Sequence, residues 1–140
     1  FNTPILFKFQ AAILKIAECS PRLKSLALQR DVITDVSIIK IAEPCLMLKR
    51  LSLSRLEISD VALSRIAECC PIQSLGLYGD LLITDVAILK ITECCPALQE
   101  FDLYSSTEIT ESAIIRIAEC CPLLQSLELN YRPPLSDAAT

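Results

Sequence analysis

Residues Ile83 to Leu103 read ITDVAILKITECCPALQEFDL, and imperfect copies of this stretch account for most of the chain. Aligned on their Ile-Thr-Asp-like starts, the copies begin at Ile33, Ile58, Ile83, Ile109 and Leu135, spaced 25, 25, 26 and 26 residues apart. A period of about 20 to 50 residues marks a solenoid, in which one supersecondary unit stacks on the next because none can bury its apolar face alone. Thr84/Asp85, like Thr34/Asp35 and Ser59/Asp60, can place a side-chain oxygen on the free amides of a helix start. Ile88, Ile91, Thr92 and Cys95 then fall at i, i+3, i+4 and i+7, and Ile38, Ile41, Ala42 and Cys45 repeat the stripe, which predicts an amphipathic helix. Pro71, Pro96 and Pro122 stop the helices, since proline lacks the amide that a further turn needs.

After each helix comes a strand signal. Leu98-x-x-Phe101-x-Leu103 is matched by Leu23/Leu26/Leu28, Leu48/Leu51/Leu53, Ile72/Leu75/Leu77 and Leu124/Leu127/Leu129. The closing L-x-L alternates as a short half-buried strand does. One strand and one helix per repeat predict an α/β solenoid curled into a horseshoe.

These elements resemble the cysteine-containing leucine-rich repeats, whose pattern is C-P-x-L-x-x-L-x-L-x-x-C-x-x-I-T-D-x-x-L-x-x-L-A. The likeness covers about Ile13 to Asp137. Such repeats occur in F-box/leucine-rich-repeat substrate receptors of ubiquitin ligases and in antagonist-of-mitotic-exit proteins. The resemblance implies a right-handed α/β horseshoe with short parallel strands on the concave face and helices on the convex face. It also implies that residues 1–140 form a single domain of about five repeats, and the ends at Phe1 and Thr140 lead us to expect a piece of a longer array. The chain departs from the family where the loop after each strand carries cysteine, reading Asp31, Leu56, Asp80, Ser106 and Arg132 instead.

Composition narrows the function classes. At 52% hydrophobic and 21% charged residues, 140 residues suffice for a sizeable core. Charged residues interrupt every helix, so no apolar run reaches membrane-spanning length, and a soluble protein is expected. The net charge of −4 is the wrong sign for a nucleic-acid footprint. The chain has no histidine and only Gly76 and Gly79 as glycines, which excludes His-based catalysis, His metal sites and phosphate-cradling glycine loops. No catalytic residue, metal ligand or cofactor site is assigned. Cys19, Cys45, Cys69/Cys70, Cys94/Cys95 and Cys120/Cys121 recur at the helix ends, and the favoured reading is packing thiols in a reducing, intracellular compartment, cytoplasmic or nuclear. Disulfides and a zinc site are the alternatives.

Two ladders run through the helices. Lys15, Lys40, Arg65, Lys90 and Arg116 share one position, with Glu18, Glu43, Glu68, Glu93 and Glu119 three residues later, within reach on the same helix. Val36, Val61 and Val86 share an outward face, read mainly as helix-to-helix packing. Phe1, Phe7 and Phe9 are read as packing residues.

The strand positions that face away from the core are where the repeats stop agreeing. They read Ser25/Ala27/Gln29, Arg50/Ser52/Ser54, Ser74/Gly76/Tyr78, Glu100/Asp102/Tyr104 and Ser126/Glu128/Asn130. Solenoids recognise partners with this extended surface. The candidate binding residues are therefore Arg50, Ser52, Tyr78, Glu100, Asp102, Tyr104, Glu128 and Asn130. Glu100, Asp102 and Glu128 beside Tyr78 and Tyr104 suit a basic or Arg-bearing protein or peptide. Five strands about 4.8 Å apart and three or four residues deep offer roughly 250–300 Å2, short of the ~800 Å2 per partner of a standard interface, so tight binding needs loops or further repeats. By resemblance the expected role is holding substrates for an F-box-type ubiquitin ligase, with core ligase subunits as partners only if an F-box lies outside this chain. A regulator that sequesters a partner is the alternative, and an enzyme or metal protein the disfavoured one.

Overall fold

The computed structural model describes residues 11–12, 14–16, 18–29, 34–54, 58–79, 82–104 and 109–130. After a helical stretch within residues 11–19, five strands alternate with four helices: β1 (Ser25–Gln29), α1 (Asp35–Ala42), β2 (Arg50–Ser54), α2 (Asp60–Cys69), β3 (Ser74–Tyr78), α3 (Asp85–Cys94), β4 (Glu100–Tyr104), α4 (Glu111–Cys120) and β5 (Ser126–Leu129). The strands form one parallel sheet in the order β1-β2-β3-β4-β5, and each helix packs on the next. The α/β solenoid expected from the 25-residue period is the fold observed.

Equivalent repeat positions lie side by side in the sheet. Leu51 pairs with Leu75, Leu75 with Phe101, Leu53 with Leu77 and Leu77 with Leu103. These rows point into one core shared with the helices, where Leu53, Leu77, Leu103, Ile88 and Leu98 are fully buried. Burial of each such side chain contributes on the order of 1.5–3 kcal/mol. Adjacent repeats therefore bind each other through the residues that recur.

Helix length follows proline placement. In the later repeats proline comes after two cysteines, and α2, α3 and α4 have 10 residues each. Glu43-Pro44-Cys45 brings proline forward, and α1 stops after 8. Cys45 is nevertheless buried in the place that Cys70, Cys95 and Cys121 take in the following repeats.

The helix starts correct one expectation. Among the described caps only Thr84 accepts a bond from its own helix, from the Val86 amide at 3.2 Å; Thr34, Ser59 and Thr110 do not. The aspartates that follow reach sideways into the next repeat. Asp35 accepts from the Ser59 amide (2.8 Å) and hydroxyl, Asp60 from the Thr84 amide (2.7 Å) and hydroxyl, and Asp85 from the Thr110 amide (2.8 Å) and hydroxyl. Ser/Thr-Asp thus serves as an inter-repeat clamp.

The cysteines also divide. Cys45, Cys70, Cys95 and Cys121 are buried in the core, Cys69 and Cys94 are half-buried and packed against it, Cys120 is half-buried and Cys19 is exposed, so full burial describes only one thiol of each vicinal pair. Successive residues near a helix end point in different directions, and the second of each pair lies deeper in the core. All eight cysteines are free thiols. Cys70, Cys95 and Cys121 point at carbonyls of the preceding repeat, Cys70 Sγ lying 3.4 Å from Cys45 O, Cys95 Sγ 3.9 Å from Ala67 O and Cys121 Sγ 3.9 Å from Cys95 O. Burial raises the pKa of all four, pushing Cys70 up to about 12 and Cys95 to about 11.

On the helix face, Val36, Val61 and Val86 are 61%, 61% and 62% exposed, so they do not pack between helices as expected. The core stripe is the one through Ala62/Leu63/Ile66/Ala67 and its equivalents, and valine falls on its far side. The charge ladder pairs across repeats as well as within them. Arg65 meets Glu43 at 3.6 Å and Glu68 at 3.7 Å, and Lys90 meets Glu68 at 3.1 Å, a contact that raises the Lys90 pKa. Lys15 meets Glu18 at 3.9 Å. Among the described residues no helix is long and apolar enough to cross a membrane. Phe1, Phe7 and Phe9, and the loop positions Asp31, Leu56, Asp80, Ser106 and Arg132, lie outside the described residues.

Candidate functional site

Register fixes the layout of the strand face. Its first row is Ser25, Arg50, Ser74, Glu100 and Ser126; its second is Ala27, Ser52, Gly76, Asp102 and Glu128; Tyr78 and Tyr104 are paired in the third. The period of two that buries the leucines of each strand leaves these residues on the other side. Arg50, Glu100 and Glu128 are exposed, and Ser52, Tyr78, Asp102 and Tyr104 are half-buried.

The two tyrosines organise the centre. Their rings lie 5.6 Å apart between centroids and are tilted by 34°. Each hydroxyl reaches one strand onward to a second-row carboxylate: Tyr78 Oη donates to Asp102 Oδ2 at 3.2 Å, and Tyr104 Oη to Glu128 Oε2 at 2.5 Å. Both phenols are harder to ionise than usual. For Tyr78 the main cause is burial, followed by the charge of Asp102; for Tyr104 it is the bond to Glu128, followed by burial.

Gly76 makes this possible. A side chain there would meet the Tyr78 ring and hydroxyl at 2.7 Å, so the ring lies over the bare backbone and buries it. The expectation that Gly76 faces solvent is thereby corrected. Beside the ring is a shallow depression of about 110 Å3 whose lining includes Ser52, Gly76, Tyr78, Arg50 and Asp102. The structure therefore brings together Arg50, Ser52, Tyr78 and Asp102, and joins Tyr104 to Glu128. Glu100 neighbours Ser74 and Ser126 in the first row. Asn130 is exposed just past β5, its amide donating to Leu103 O at 2.7 Å. Gly76 was absent from the candidate set; its signal was a glycine two residues before an outward tyrosine on the same strand face.

Solved structures share this fold, among them the two that follow. The chain titled Leiomodin-1 Actin-Binding Site 2 superposes with a TM-score of 0.66 at 20% identity, over 91% of this chain and 82% of that one. The tropomodulin C-terminal domain from Caenorhabditis elegans superposes with a TM-score of 0.53 at 14% identity, over 81% of this chain and 92% of that one. No family model and no curated protein sequence matches the chain. What is shared is the α/β leucine-rich-repeat-like fold; the cysteine-containing F-box class is a resemblance of motif only.

The chemistry on offer at this face is recognition. One guanidinium (Arg50), one carboxylate (Asp102) and one amphipathic ring (Tyr78) line the open depression, and Tyr104 with Glu128 forms a second ring-carboxylate pair on β4 and β5. Among the described residues no group of three or more Cys, Asp or Glu side chains could hold a metal ion.

Proposed function

We propose that the chain is a protein-binding scaffold whose strand face takes a basic, Arg-bearing segment of a partner protein. The observation that carries this reading is the tyrosine-edged carboxylate pair, Asp102 and Glu128, on the face where repeats differ, while the helices keep one pattern. Variation on the concave strand face, the surface that solenoids use for recognition, is what a binding surface on a repeated scaffold would carry. Half of each carboxylate is engaged by a tyrosine hydroxyl, which orients the other oxygen for a guanidinium; the rings supply cation–π contact. The fold shared with a chain titled for actin binding is compatible with a protein-binding role. Absence of histidine and buried thiols of raised pKa favour binding over catalysis.

The finer role is substrate holding for an F-box-type ubiquitin ligase, on the strength of the C-P, L-x-L and I-T-D elements. The alternative is a regulator that sequesters its partner without a ligase. Recovery of ligase core subunits with the intact protein supports the first; their absence beside a captured partner supports the second.

The binding face is tested with a capped nine-residue peptide carrying one arginine in a Gly/Ser background, titrated into the chain by NMR. Shifts are expected at Gly76, Tyr78 and Asp102, with at least about tenfold loss of affinity in Glu100→Lys with Asp102→Lys while the fold is kept. Unchanged affinity in that double variant removes the face from the proposal.

A further inference from the structure

A basic segment lying on β4 and β5 uses Glu100, Asp102 and Glu128 and makes no use of Arg50. Arg50 stands on the first row of β2, exposed and with no ion-pair partner among the described residues. It nevertheless lines the same depression as Asp102. Between them lie Ser52, Ser74 and Gly76 with the Tyr78 ring over it, none of which carries a charge. The strand face is thus electrically polar across its width, positive at β2 and negative at β4 and β5.

The spacing of those charges matches an extended chain crossing the strands. From Arg50 on β2 to a point between Asp102 on β4 and Glu128 on β5 is two and a half strand spacings of about 4.8 Å across and two residues, about 6.7 Å, along the strands, roughly 14 Å in all. Residues i and i+4 of an extended segment lie about 13.5 Å apart and point the same way. A segment with an acidic residue at i and a basic residue at i+4 can set its carboxylate on Arg50 while its cation rests between Asp102 and Glu128. A segment basic at both positions must place one cation against Arg50, which repels it.

We propose that the strand face from Arg50, across the depression, to the Asp102 and Glu128 carboxylates is a charge-ordered seat, selecting partner segments in which an acidic residue lies four positions from the basic one. This rests on the basic-segment reading of the strand face and adds the feature that chooses among basic segments. Arg50 is the selecting residue, and the Tyr78 ring lying over Gly76 is the uncharged floor between the two poles.

Three capped nine-residue peptides in a Gly/Ser background test this by NMR titration of the whole chain. The first carries aspartate at its third position and arginine at its seventh, the second serine and arginine, the third arginine at both. The first is expected to bind about three- to fivefold tighter than the second, the range of a partly exposed ion pair. Arg50→Ser should bring the first two within experimental error, and Arg50→Glu should turn the preference toward the third; both changes are at an exposed position and leave the core intact. The seat is overturned if the aspartate gives no gain, or if its gain survives Arg50→Ser. If in that case the second peptide still binds and Glu100→Lys with Asp102→Lys still blocks it, the basic-segment reading stands alone. If none of the peptides binds, both fall.

Discussion

The carboxylate of Asp60 accepts from both the backbone amide and the hydroxyl of Thr84, 24 residues later, at 2.7 and 2.5 Å. A single side chain thereby satisfies two donors at the start of α3, and Asp35 and Asp85 do the same for Ser59 and Thr110. Asp60→Ala strands both donors of a half-buried residue and is expected to cost about 1–3 kcal/mol. Asp60→Asn keeps an acceptor for the amide and should cost less. Urea unfolding gives the sizes, and hydrogen exchange at the Thr84 amide gives the place: it should speed up in Asp60→Ala ahead of amides in β3. Unchanged exchange there would remove the clamp from the account of how repeats hold register.

Vicinal thiols of one sequence motif should differ in reactivity. A thiol-specific aromatic disulfide reagent is expected to titrate the folded chain at Cys19, Cys69, Cys94 and Cys120 and to reach Cys45, Cys70, Cys95 and Cys121 only in denaturant. Labelling of Cys70 at the rate of Cys69 under native conditions would contradict its 3% exposure.

The same burial makes stability depend on alkaline pH. Below about pH 8.5 these thiols are protonated in both folded and unfolded chains, so their contribution is constant. Above it the unfolded chain releases protons that the folded chain keeps until about pH 11 at Cys95 and about 12 at Cys70. Unfolding is then favoured by up to about 1.4 kcal/mol per pH unit for each such thiol. Urea midpoints should fall between pH 8.5 and 10.5, less steeply in Cys70→Val, which cannot ionise. Parallel slopes in the two proteins would show that the thiol is not responsible.

Which parts of this were legible beforehand follows from what repeats and what does not. Leu53, Leu77 and Leu103 recur at a fixed period because each solves the same burial problem, so the solenoid could be read from their spacing. Thr84 and Asp85 carry a helix-start signal, but nothing local tells a side chain bonded to its own helix from one bonded 24 residues away. Cys69 and Cys70 are the same letter, and only the rotation of the helix end separates them. At the candidate site, Tyr78, Asp102 and Glu128 could be picked out as outward residues one at a time. The joining of Tyr78 to Asp102 depends on Tyr78 leaning across Gly76 to the next strand, and that of Glu128 on Tyr104 reaching across in the same way; these are diagonal contacts that straight alternation along one strand does not contain.

Position along the array should set the cost of a core deletion. Leu103 is fully buried between β3 and β5, whereas its equivalent Leu129 is 39% exposed. Leu103→Ala is expected to cost about 2–5 kcal/mol through lost burial and the cavity left behind, and Leu129→Ala about 1 kcal/mol or less. Thermal and urea unfolding measure both. Equal losses would mean that β5 is covered in solution more fully than its exposure indicates.

Gly76→Ala separates the arrangement of the strand face from the stability of the sheet. The new methyl group would stand 2.7 Å from atoms of the Tyr78 ring, but that ring is the free end of a side chain and can swing off, so the stability change should stay within about 1 kcal/mol. Swinging off breaks the Tyr78–Asp102 bond and exposes the phenol. The burial and the Asp102 charge that hold the Tyr78 pKa above its usual value are then both relieved. A spectrophotometric titration of tyrosine absorbance should therefore show one phenol ionising at lower pH in Gly76→Ala than in the parent, while Tyr104, held mainly by Glu128, moves less. Tyr78→Phe identifies the phenol: it should delete the transition that Gly76→Ala displaces. If Gly76→Ala leaves the tyrosine titration as it was, the ring does not lie over Gly76 in solution, and the polar depression that depends on it loses its wall.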